Sequence, residues 1–152
     1  MRDQLKTAMK DALKEGDTKR LGTIRLITAA LKDRDIAARS KGQTDGISDE
    51  DILSMLQTMI KQRKESAKMY REGGREELAA AEDAEINVIR SFMPEQMDDD
   101  AVSKAIRSAI EETGAESIKD MGKVMGFLKQ NYAGQMDFAA ASTIIKSTLM
   151  GE

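Results

Sequence analysis

The stretch that decides how this chain is read is Asp120-Met121-Gly122-Lys123-Val124-Met125-Gly126. It lies inside a helical pattern that runs from Ser117 to about Asn131, with Ile118, Met121, Val124/Met125 and Leu128 as its apolar stripe. Two glycines four apart are unexpected there, because a glycine in a helix interior costs roughly 1 kcal/mol relative to alanine. Residues at i and i+4 share a helix face, so Gly122 and Gly126 leave a bare strip of backbone with Lys123 beside it. The first expectation is tight helix–helix packing inside a small bundle. The second is a docking face for something large and negatively charged.

Outward from this stretch, the composition limits what the chain can do. Of its 152 residues 34% are charged, 40% hydrophobic and 3% aromatic, with a single proline and eleven methionines, a balance that suits helices packed through aliphatic contacts. No cysteine or histidine occurs. There is therefore no disulfide, no thiol nucleophile and no Ser-His-Asp arrangement, and a zinc site is not expected. The carboxylate groups Asp49-Glu50-Asp51 and Asp98-Asp99-Asp100 sit at predicted helix starts, where the helix dipole accounts for them. The residues thus assign no catalytic group, no metal and no cofactor. No apolar run approaches the ~20 residues of a membrane span, and Met1–Leu5 does not open a signal peptide. A cytoplasmic protein with no membrane partner is expected.

The spacing predicts an all-α fold in two parts. Residues 1–93 form an N-terminal helical domain: a first helix from about Arg2 to Glu15 and a second from Thr18 to about Ser40. A third helix, capped by Ser48, carries the apolar line Ile52, Met55/Leu56, Met59/Ile60, Arg63, Ala67 and Tyr70. After Gly73-Gly74 a fourth runs from Arg75 to about Phe92 with Leu78, Ala81, Val88/Ile89 and Phe92 inward, completing a long antiparallel hairpin. The stripe of the first helix reads Leu5, Met9, Ala12 and Leu13. Phe92-Met93-Pro94 is the expected boundary. Residues 94–152 then form a three-helix bundle, about Asp98–Thr113, Ser117–Asn131 and Asp137–Met150, punctuated by Gly114 and Gly134, with Phe138, Ile144/Ile145 and Leu149 as the last stripe.

Net charge is −3, unevenly spread. Residues 1–41 hold eleven Lys/Arg and six Asp/Glu, and residues 61–75 hold six and two; beyond Met93 there are six and ten. The basic run Lys61-Gln62-Arg63-Lys64 reads first as a solvated face with helical pairs such as Lys61–Glu65, and the asymmetry permits an acidic partner on the N-terminal half.

With these residues in place, the chain resembles the YqeY-like family, whose motif also marks the C-terminal tail domain of GatB, a subunit of the glutamine-dependent tRNA amidotransferase. The match is carried by Asp120–Gly126 with Gly134 and Asp137, and by Lys61-Gln62-Arg63 with Ser66, Gly74-Arg75-Glu76-Glu77-Leu78, Glu85-Ile86 and Pro94-Glu95-Gln96, in the family's order along the whole chain. The resemblance implies the two-part helical fold and an association with tRNA-dependent amidation, described for the family as carbon–nitrogen ligase activity with glutamine as amido-N-donor. The chain lacks the catalytic region in which GatB carries its chemistry, so an accessory role is expected rather than catalysis alone.

By position, Gly122, Lys123, Gly126 and Gly134 match the tail motif, and Lys119 and Lys129 flank it as RNA phosphate contacts. Where the family often has Lys-Gly-Arg, this chain has Ala133-Gly134-Gln135, two positive charges fewer. Two other readings stand beside tRNA binding. One is a helical protein–protein interaction module without RNA binding, gripping a translation-related protein. The other is an autonomous amidotransferase. The sequence assigns no oligomeric state.

Overall fold

The computed structural model describes residues Met1–Gly151 and is all helical, with seven α-helices and no strand among the described residues. Its residues separate into two compact units, Met1–Met93 and Pro94–Glu152, each with its own buried apolar cluster.

In the first unit, α1 (Arg2–Glu15) and α2 (Thr18–Arg39) form a hairpin. Gly16 ends α1 in the left-handed conformation, and the Asp17 side chain accepts the Arg20 amide to start α2. Ser48 caps α3 (Asp49–Glu72) by accepting the Asp51 amide, and Asp49, Glu50 and Asp51 follow in its first turn, where the helix dipole favours negative charge. α4 (Glu76–Arg90) returns antiparallel along α3 in the most extensive helix–helix contact of the chain. Leu5, Ile24, Ile27, Ile52, Leu56 and Ile89 are almost completely buried and make the centre of this core. Arg63 ties the hairpin together, donating from Nε to Glu85 Oε2 at 2.8 Å and from Nη1 to the Met59 carbonyl at 3.2 Å. Nearer the turn, Arg71 bridges to Glu76 and Asp83.

The loop between α2 and α3 is latched by a polar cluster. The Arg2 guanidinium grips Asp35 through two hydrogen bonds of 2.8 Å and donates a third to the Ile47 carbonyl, while Asp35 Oδ1 accepts the Ile47 amide at 2.9 Å. These bonds, the one from Arg2 foremost and the Ile47 amide next, hold the Asp35 carboxyl down at about 2. Gly46 passes so close that a Cβ there would stand 2.5 Å from Arg2 Nη2 and 2.9 Å from Asp35 Oδ1, and its φ of +85° is one that only glycine adopts readily.

The second unit is a three-helix bundle. α5 (Asp99–Thr113) starts on Asp98, whose side chain accepts the Ala101 amide, and ends at Gly114. A short 3-10 turn, Ile118–Asp120, leads into α6 (Met121–Tyr132), and Asp137 caps α7 (Phe138–Leu149) by accepting the Ala139 and Ala140 amides. Ala105, Ile106, Ala109, Val124, Leu128, Met136, Ala141 and Ile145 form the core.

Several side chains depart from the sequence expectation. Leu13, Ile118 and Ile144 are 55, 44 and 43% exposed, because Ala12, Val124 and Ile145 take the inward positions of their helices instead. In α4 the buried line is Ala79, Ile86 and Ile89; Leu78 is half-buried and Ala81 exposed. The buried line is turned by about a quarter of the helix circumference from the expected one, leaving Glu85 at its margin to meet Arg63, and an alanine carries too little apolar surface to mark its own face in a sequence. The expected helix from Ser117 begins as a 3-10 turn, since the Asp120 side chain turns back on the preceding backbone. The Lys61–Glu65 pair is absent from the ion pairs of the described residues; Arg63 makes the bond that matters, across to α4.

Candidate functional site

The face of α6 opposite its buried stripe is the candidate. Val124 and Leu128 are fully buried and so fix which way the helix points. On a 3.6-residue period, Gly122 and Gly126 fall on the far side from that pair, with Lys129 three residues on along the same strip and Lys123 next to it. Both glycines are exposed, and a Cβ built on either meets no atom within 4 Å. This overturns the packing expectation. Among the described residues nothing lies against the bare backbone, and both positions would accept a side chain without a shift of neighbours. The cost that glycine imposes on a helix is therefore not offset by any contact of the described residues.

Lys119, Lys123 and Lys129 are all exposed around this strip, and α6 itself carries no Asp or Glu. Lys123 Nζ stands 3.9 Å from Asp120 Oδ1, a solvent-facing pair of the kind that contributes little to stability. Asp120 is anchored on its other oxygen: Oδ2 accepts the backbone amides of Glu116 at 3.0 Å and Ser117 at 3.3 Å. Those two bonds, then the charge of Lys123, hold its carboxyl below the usual aspartate range. The capping role of Asp120 is thus what sequence reasoning missed. Ser117 followed three residues later by Asp120 is a variant of the capping-box pattern, so the signal was present. Its effect is to fix the entry to α6 and to hold a carboxylate beside Lys123.

Gly134 belongs elsewhere. It is buried, with φ +75°, and its carbonyl accepts Gln96 Nε2 at 2.6 Å, while the Gln135 carbonyl accepts the Met97 amide at 2.9 Å. The same Gln96 Nε2 also reaches the Pro94 carbonyl at 3.0 Å. Two separate motif segments, Pro94-Glu95-Gln96 and Ala133-Gly134-Gln135, therefore meet and stitch the start of the second unit to the α6–α7 turn. Of the six residues expected to contact RNA, the fold gathers Lys119, Gly122, Lys123, Gly126 and Lys129 around one exposed face and keeps Gly134 inside. Among the described residues no group of three or more carboxylates is placed to hold a metal ion, and no helix is long and apolar enough to cross a membrane.

Known proteins place this arrangement in a family. The model of a family described as Yqey-like protein matches residues 2–149. The chain is also similar to a protein from Saccharomyces cerevisiae (strain YJM789) named altered inheritance of mitochondria protein 41, mitochondrial. The two are 27% identical over 127 residues, which make up 80% of this chain and 66% of the yeast protein. A protein of the same name from Pyrenophora tritici-repentis is 28% identical over 131 residues, 83% of this chain and 70% of that one. The chain spans just under two thirds of the yeast relative's length. The match, from near the first residue to near the last, makes this chain a member of the YqeY-like protein family.

Proposed function

We propose that the chain is a tRNA-binding accessory protein of the kind that serves glutamine-dependent tRNA amidation, and that its docking face is the outer side of α6. One observation carries this reading: Gly122 and Gly126 are open to solvent while three lysines surround them. Bare backbone lets a sugar–phosphate chain come closer than any side chain would allow, and the lysines supply the charge. Phosphate neutralisation dominates such affinity and makes it fall steeply with salt. The second unit is acidic overall, with ten Asp/Glu against six Lys/Arg, yet α6 has only Lys123 and Lys129 as charged residues. Asp120, still hydrogen-bonded by two backbone amides and only loosely paired with Lys123 at 3.9 Å, yields Lys123 to an incoming phosphate at little cost.

The face offers binding rather than bond-making, which favours an accessory role over autonomous amidotransfer. The test is a titration of the full chain with total tRNA at several salt concentrations. Binding should weaken steeply with salt and fall further on Lys123→Glu. Binding that Lys123→Glu leaves unchanged would remove the assigned site. The chain alone, given misacylated tRNA, glutamine and ATP, should leave the glutamyl ester unconverted; conversion would make it an enzyme in its own right.

A protein partner on the same face is the second reading, and Ile118 supports it. This large apolar side chain is 44% exposed next to Lys119, at the N-terminal end of the strip. It predicts no tRNA affinity at any salt concentration.

A further inference from the structure

We propose that α2 carries a second docking face, independent of α6, and that its partner is an amphipathic helix with acidic residues along its flank. α2 buries Leu21, Ile24, Ile27 and Leu31 inward. On its outer side a second line runs Gly22, Leu26, Ala29, Asp33, Ile36, Ser40, all exposed. The steps are four, three, four, three and four residues, the alternation of a coiled-coil seam, and they extend about 27 Å along the helix at ~1.5 Å per residue. Leu26 and Ile36 are 47 and 54% exposed, and a Cβ on Gly22 would meet nothing within 4 Å, so no part of the described chain covers the line.

Charge selects the occupant. Arg25, Lys32 and Arg39 repeat at intervals of seven along one flank of this seam, where coiled coils place the residues that choose partners. All three are exposed and none forms an ion pair with a carboxylate of the described residues; Arg39 acts on Asp35 only through its field. The opposite flank is Thr23, Ala30 and Ala37, uncharged and turning in toward the core at buried Thr23. A helix laid on this face meets a repeated basic ladder on one side, and on the other a single cation, Lys19, at the N-terminal end. A second copy of the same face fits poorly. Packed antiparallel it would set ladder against ladder, and packed parallel it would set Asp33 beside its own counterpart. The complementary segment therefore has glutamates or aspartates facing the ladder and a cation opposite Asp33.

The probe is a synthetic helical peptide with leucine along its seam, one lysine set to meet Asp33, and glutamate on its flanks; a control carries lysine flanks. The full chain should bind the glutamate peptide about tenfold more tightly than the control, the sum of a few exposed charge pairs. Arg25→Glu/Lys32→Glu/Arg39→Glu should invert that preference, and Leu26→Glu/Ile36→Glu should abolish binding of both peptides. Circular dichroism should show both variants folded, since every substituted side chain is exposed. Equal binding of the two peptides, no binding of either, or indifference to Leu26→Glu/Ile36→Glu would overturn the proposal. So would a dimer in sedimentation that Leu26→Glu/Ile36→Glu makes monomeric, because the occupant would then be a second copy. Loss of tRNA binding on reversing the ladder, without any peptide preference, would assign the ladder to nucleic acid and overturn it equally.

Discussion

The loop latch of the first unit and the outer face of α6 in the second use glycine in opposite ways. At Gly46 the backbone is hemmed in by Arg2 and Asp35 and bent to a positive φ, so the fold itself demands glycine. At Gly122 and Gly126 the backbone is helical and open, and the fold would be more stable with almost any other residue. The first glycine is explained by what the chain does to itself. The second pair finds no explanation in contacts among the described residues. A cost that no contact of the described residues offsets is the basis for the interface proposed on α6.

The contrast can be broken most sharply at Gly46. Gly46→Ala combines left-handed strain with a collision into a bonded ion pair, and it should destabilise the first unit by about 2–4 kcal/mol in denaturant unfolding. A loss below the usual scatter of surface substitutions would mean that the loop relaxes and the latch is loose. At the other pole, Gly122→Ala and Gly126→Ala should each stabilise the second unit by about 0.5–1 kcal/mol, with the larger share from Gly126 at the helix centre. A thermal midpoint raised by several degrees would register this. Destabilisation by either alanine would show that the strip is packed against something after all.

The latch also has a pH signature. The Asp35 carboxyl sits at about 2 in the folded protein against an ordinary value of 3.8. Its lowered folded value means that the stabilisation is fully present above the unfolded value and is lost as pH falls from about 4 towards 2. The loss should be of order 1 kcal/mol once solvent screening of the partly exposed Arg2 is allowed for. Asp35→Asn should flatten that part of the stability curve. The smallest expected change in stability is at Lys123, where Lys123→Ala removes only the 3.9 Å pair with Asp120 and should stay within about 0.5 kcal/mol of the parent. The same substitution should reduce the salt slope of tRNA binding by about 1, separating the face's function from its stability.

Much of this was legible in the sequence, and the reason is local chemistry. Asp17, Ser48, Asp98 and Asp137 cap the helices they precede through their own side chains, and Gly16 and Gly114 end α1 and α5. These signals act within four residues, so they survive without any knowledge of tertiary contacts. The direction of the glycine strip was also written there. Met121, Val124 and Leu128 form the apolar stripe, and Gly122 and Gly126 fall on the other side of the same wheel. The expectation of internal packing follows from weighing glycine's cost without asking which way the strip points.

What the sequence hid depends on contacts between distant residues. The face of α4 is settled by its packing along α3, and nothing near Ala79 or Ala81 tells them apart. Gly134 stands in the tail motif beside the exposed glycines, yet only the bond from Gln96, 38 positions earlier, shows that it serves the interior. The outer seam of α2 was obscured for a different reason: one helix there carries two apolar lines, and the stronger, buried one dominates the pattern.

The measurement that bears most directly on the central claim replaces both open glycines with a bulky, uncharged helix former. Gly122→Gln/Gly126→Gln leaves every lysine in place and should keep the bundle folded. In a salt-titrated tRNA binding assay on the full chain, the account predicts a large loss of affinity with the salt slope reduced, because the backbone can no longer be approached. Unchanged tRNA binding by a folded double variant would contradict it.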